Sequence, residues 1–233
     1  MKNCSADISL GKSALVAGLG LLIMTIFYLS ADIFVFRKLI VMKNATTTTL
    51  NIMANGMQFR SGICAIIIVL IWDLIVAWAL YFFLKPVNKS LSLLAAWLRL
   101  VYAGMLGIAL LNLVMVMILA SGADYLAVFE PDQLHAQVLF FVNAFYDMWA
   151  LGLIIFGLHL AFLGYLVFKA DYTPKILGVL LLLAGFSYLL DNFGKFLFTN
   201  YGLNLATFIG WGEFIFMLWL LIKGAKIPDL IED

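Results

Sequence analysis

Charge is what this chain has least of. Only 12% of its 233 residues are Asp, Glu, Lys or Arg, too few to cover the surface of a soluble domain of this length. The charges nearly cancel, at +1, and no basic tract occurs, so nothing argues for a nucleic-acid partner. Cysteine is scarce as well. Cys4 precedes the first apolar run and Cys64 begins the second, which predicts opposite sides of a bilayer and argues against a disulfide or zinc site between them. Of two histidines only His159 lies deep in an apolar run, and no paired ligand spacing accompanies it, so no metal and no cofactor is expected. Ser/His/Asp order, a glycine-rich phosphate loop and HExxH are all missing. The four prolines, Pro86, Pro131, Pro174 and Pro228, all fall outside the apolar runs, so no span is broken by proline.

What remains is hydrophobic, 65% of the chain with a mean hydropathy of +1.09, and it comes in long runs rather than amphipathic stripes. Six runs reach the ~20 helical residues a hydrocarbon core takes: residues 13–35, 61–84, 90–122, 136–168, 175–198 and 204–223. The expected fold is all-α: one polytopic membrane domain over residues 1–233 with six transmembrane helices. The first run is too long for a signal-peptide core and reads as a retained span. Glycine pairs such as Gly104 and Gly107, or Gly178 and Gly185, predict close helix contacts.

Lysine and arginine set the orientation. Lys2, Lys12, Lys85, Lys89, Lys169, Lys175, Lys223 and Lys226 gather at one set of span ends. Arg37, Lys38, Lys43 and Arg60 at the other set are outvoted, which places both termini in the cytoplasm. The first outer connection, residues 36–60, carries Leu50, Met53 and Met57 at helical spacing. It predicts a short helix on the outer surface, with residues 47–49 as its cap. The second, ADYLAVFEPDQLH, looks similar, with Pro131 opening the approach to the fourth span.

Polar residues inside spans are the functional candidates. At 1.5 Å per residue, Asp73, Arg99, His159 and Glu213 all lie about 14–16 Å from the cytoplasmic ends of four different spans. Arg99 demands a carboxylate, and either Asp73 or Glu213 can supply a two-oxygen partner, leaving the other for His159. The layer then sums to −1 with a neutral histidine and to zero with a protonated one. Such a layer suits a proton relay or acid/base chemistry; equally, it can simply pin helix packing. His159 alone could be satisfied by a backbone carbonyl or by Tyr102. A second level, nearer the outside, holds Asp32, Arg37, Asn112, Asn143, Asp147, Asp191, Asn192 and Lys195 and is a candidate vestibule. Asp191 and Lys195 are spaced for an intrahelical pair, and Arg37 or Lys38 is placed to meet Asp32 or Asp147.

Four stretches carry a family resemblance: FLKPVNKSLSLLAAWLRLVYAG, SGADYL with FEPDQL, GLHLAFLGYLVFKADYTPKILGVLLLLAGFSYLLDNF, and GEFIFMLWLLIKGAK. They resemble the bacterial multi-pass membrane family catalogued as domain of unknown function 4386, over nearly the whole chain. The resemblance implies a six-span membrane protein and no particular activity. Arg99, His159, Asp191, Glu213 and Asp32 match polar positions of that family. VNAFYDMWALG departs from its pattern, so no role passes to Asn143 or Asp147.

Three functions fit these observations. The bundle encloses a polar pocket that binds or processes a small amphiphilic or lipid-like molecule; or it is a proton-coupled transporter or channel; or it is a non-catalytic module assembling with other membrane proteins. Membrane lipid is the one partner the sequence itself implies.

Overall fold

A computed structural model describes residues 8–199 and 201–227. Lys2, Cys4 and Pro228 lie outside the described residues. Within them all regular structure is helical, and six helices are long and apolar enough to cross a membrane. The chain is an all-α polytopic membrane protein. In hydrocarbon every backbone N–H and C=O must be bonded internally, which a continuous helix does within itself.

The spans are α1 (Leu10–Leu39), α3 (Gly56–Leu84), α4 (Lys89–Leu119), α5 (Pro131–Lys169), α6 (Lys175–Leu197) and α7 (Leu205–Ile222). A short α2 (Ala45–Ala54) lies between the first two. Pro131 is the first residue of α5, where its missing N–H costs nothing. Asn88 starts α4 by accepting from the Leu91 N–H at 2.9 Å.

Three details differ from expectation. Asn44, not residues 47–49, caps α2, accepting from the Thr47 N–H at 2.8 Å. Thr48 and Thr49 are instead buried inside that helix, and the Thr48 hydroxyl bonds both the N–H and the carbonyl of Val41. Leu50 and Met53 are exposed on this helix, but Met57, expected on the same face, is exposed on the next helix, because the short one ends at Ala54. Second, α1 passes through a π turn at Asp32–Phe36 before ending at Leu39. Third, α7 is broken. Its first piece, Leu205–Ile209, stops at Gly210 and Trp211, both with ψ near zero, and the helix resumes as Gly212–Ile222.

The chain divides into two compact units: Met1–Leu22, Trp72–Tyr102 and Leu153–Asp233 form one; Ile23–Ile71 and Ala103–Gly152 form the other. In the first, α5 and α6 meet backbone to backbone through two glycines on each. A Cβ on Gly164 would come 2.7 Å from the Leu182 nitrogen, and one on Gly185 would come 2.7 Å from the Gly157 carbonyl oxygen. Gly157 and Gly164 are seven apart, as are Gly178 and Gly185, so each pair lies on one helix face. His159 follows Gly157 by two residues and so points some 160° away from that seam. The α5–α6 loop is anchored by Tyr172, whose hydroxyl donates to the Phe83 carbonyl at 2.5 Å; burial raises that hydroxyl above the usual phenol range. The Ser92 hydroxyl donates to the Tyr81 carbonyl at 2.9 Å, tying α4 to α3.

In the second unit the π turn packs Val35 and Phe36 against Gly62 of α3, and Phe36 meets Phe59 and Phe145. Gly104 and Gly107 do not make the expected close contact: nothing lies within 4 Å of a Cβ on Gly104, and only Leu70, at 3.9 Å, near one on Gly107.

Candidate functional site

The four residues placed at one depth come together in the first unit. Arg99 is fully buried, as is Asp73, and His159 is almost so. The Arg99 Nε donates to Asp73 Oδ1 at 2.9 Å. Its Nη1 donates to Glu213 Oε1 at 2.6 Å and lies 3.2 Å from His159 Nε2. Arg99 thus gathers both carboxylates, and His159 takes neither, contrary to the division expected from sequence. Asp73 is not a two-oxygen partner either, since its Oδ2 is buried without a hydrogen bond.

The bonds define the histidine. Its Nδ1 lies 2.8 Å from the Ala95 carbonyl, which can only accept, so Nδ1 carries the proton. Its Nε2 faces a guanidinium N–H, which can only donate, so Nε2 offers its lone pair. His159 is the neutral Nδ1–H tautomer. It clamps one turn of α4, from the Ala95 carbonyl to the Arg99 side chain four residues on. Of the two acceptors considered for it, the carbonyl is used and Tyr102 is not. Phe156 lies beneath the guanidinium, with its centroid 5.7 Å from Arg99 Cζ, and is flanked by Tyr102 and Tyr188. An aromatic face adds modest attraction to a desolvated cation.

Glu213 is the accessible member, with 21% of its side chain exposed. It occupies the first turn of the resumed segment of α7, where the helix dipole favours a carboxylate. Gly212 beside it has no room for a Cβ against the Leu180 carbonyl of α6, so that glycine sets how closely Glu213 is carried in. With a neutral histidine and both carboxylates ionised, the group sums to −1. One more positive charge would balance it. Among the described residues no cluster of His, Cys, Asp or Glu is arranged to hold a metal ion.

The family model for Domain of unknown function (DUF4386) matches residues 16–224. The chain belongs to this family. A relative, an uncharacterized protein from Archaeoglobus fulgidus, is 34% identical over 171 residues, covering 73% of this chain and 88% of its own length. No solved structure matches significantly. All four cluster residues fall within the family match.

In this family member the residues of the candidate vestibule form separate local arrangements. Arg37 pairs with Asp32 at 2.7 Å. The π turn makes that possible, because an i→i+5 bond from the Arg37 N–H to the Asp32 carbonyl brings residue 37 over residue 32. Asn112 donates to the Ala109 carbonyl at 3.0 Å and contacts the Met148 sulfur at 3.1 Å. Asn143 is half-buried and Asp147 is exposed. In the first unit, Asp191 is buried and serves as a cap supplied by another helix: its carboxylate accepts from the N–H groups of Leu205 and Ala206 and from the Tyr201 hydroxyl. It thereby satisfies the start of α7, where Asn204, at φ 48°, offers no side-chain cap. Lys195 reaches Asn192 at 3.5 Å rather than Asp191. The break in α7 and the role of Asp191 had no signal beyond a glycine at 210 and an acidic residue near a span end.

Proposed function

We propose that the Asp73–Arg99–His159–Glu213 cluster forms the polar end of a pocket that binds a small amphiphilic or lipid-like molecule, whose hydroxyl or ammonium head bonds Glu213. One observation carries this reading: a single buried arginine is shared by two carboxylates, and the cluster's one accessible member is one of them. A buried anionic surplus inside a membrane is costly, and a donor head would relieve it while the tail packs on apolar side chains. The test is native mass spectrometry of the protein purified in mild detergent, on wild type and Glu213→Gln. A co-purifying amphiphile present on wild type and lost from the variant, with folding intact, supports the pocket. Equal occupancy of both contradicts it.

A second reading, a proton-coupled transporter or channel, draws on the broken α7. Transporters often place a half-helix N-terminus at their binding site, and Glu213 stands in such a first turn. In that case the missing positive charge is a proton. Vesicles of the reconstituted protein showing no pH-dependent flux would remove this reading. A third, a non-catalytic assembly module, takes the cluster as packing alone; it predicts that Glu213→Gln changes stability without changing any bound molecule.

We further infer a bacterial cytoplasmic membrane with cytoplasmic termini. Lys12, Lys85, Lys89, Lys169, Lys175 and Lys223 sit at helix ends on the same side under that threading. Reporter fusions at the C-terminus that are active only in the cytoplasm would support it; activity only outside would overturn it.

A further inference from the structure

The second unit carries an open groove of about 540 Å³ between the end of α1 and the start of α3, a size within the usual range for ligand sites, about 300–1,000 Å³. Its origin is local. Gly62 lets Val35 press onto α3, and beside that contact the π turn holds Phe34 outward, 67% exposed. One wall is a stripe on α3: Arg60, Cys64 and Ile68, each four residues apart and so on one helix face. Phe27 and Phe34 form the other wall, and Met57 stands at the mouth. From Arg60 to Ile68 the stripe runs about 12 Å into the span, charged at the helix end and apolar below.

The polar lining groups other than Arg60 are bonded within the protein. The Gln58 amide donates to the Phe34 carbonyl, the Ser61 hydroxyl to the Gln58 carbonyl, and the Ser30 hydroxyl to the Phe27 carbonyl. Arg60 is the one charged residue of the lining, which contains no carboxylate. A cation at the membrane edge above a lipid-facing apolar trough complements one kind of occupant. We propose that this groove binds an anionic phospholipid, with one acyl chain along Cys64 and Ile68 and the phosphate at Arg60. None of its lining residues belongs to the Asp73–Arg99–His159–Glu213 cluster.

Delipidated protein carrying Cys4→Ser, so that Cys64 is the only thiol, would be titrated with phosphatidylglycerol and with phosphatidylcholine of the same chains, read by native mass spectrometry. Phosphatidylglycerol is expected to bind more tightly, and Arg60→Gln to weaken it about fivefold, as one basic group near an anionic lipid does. Lys38→Gln, outside the groove, serves as control and is expected to bind like wild type. Alkylating Cys64 with a bulky maleimide on the folded protein is expected to abolish the binding without a folding step. Equal affinity for the two lipids, equal weakening by Lys38→Gln, or binding unchanged by the Cys64 adduct would overturn the proposal.

Discussion

The two units pair their charges, in an apolar chain, at different ranges. In the first, Arg99 on α4 meets Asp73 on α3, His159 on α5 and Glu213 on α7, partners 26, 60 and 114 residues away. In the second, the ion pair is local, Arg37 with Asp32 five residues before it, and the longer ties, from Gln58 to the Phe34 carbonyl 24 residues away and from Asn112 to the Met148 sulfur 36 residues away, join uncharged groups. Long-range ties hold helices together and fail together when one member is lost. Local ties shape a turn and can fail singly. The first unit is therefore where a single substitution should disturb the whole helix arrangement.

Four substitutions grade that contrast. Arg99→Met is expected to have the largest effect, a loss of about 3–5 kcal/mol, because it strands two carboxylates in a buried site; it would be read as a collapse of the melting transition in detergent. Gly164→Leu drives a side chain into the backbone of α6 and is expected to cost at least about 1–3 kcal/mol by the same assay. Asp191→Ala removes the cap at the start of α7 and is expected to cost about 1 kcal/mol, with faster amide exchange at Leu205 and Ala206. Arg37→Gln removes the exposed partner of a half-buried carboxylate in the second unit, and no resolvable change in melting is expected. A drop for Arg37→Gln as large as that for Asp191→Ala would erase the contrast between the units.

Much of this was readable from residue order. Span positions follow from apolar run length, and counting rise per residue brought Asp73, Arg99, His159 and Glu213 to one level, where they meet. Counting rise gives depth but not which nitrogen faces which oxygen, so the sharing of Arg99 by both carboxylates was invisible. So was the choice of Ala95 as the histidine's acceptor, since every residue of a helix offers the same carbonyl. The π turn leaves no compositional mark: the meeting of Arg37 with Asp32 was one of those expected, but the extra residue in the turn that aligns them was not. Glycine is ambiguous for a related reason. Gly178 and Gly185 find a partner backbone, Gly104 and Gly107 do not, and only the neighbouring helix decides. Asp191 resembled half of an i,i+4 pair because its real partners, the first N–H groups of α7, lie across a loop.

If Arg99 is the shared tie of the first unit, the cost of losing it comes mainly from the carboxylates left behind. A double-mutant cycle of Arg99→Met with Glu213→Gln, followed by melting in detergent, measures this directly. Glu213→Gln is expected to destabilise wild type yet restore stability in the Arg99→Met background, with a coupling of about 0.5–3 kcal/mol, as for other contacting pairs. Strictly additive losses, the double variant melting lower than either single one by their sum, would show that Arg99 and Glu213 do not act on each other and would contradict the shared tie.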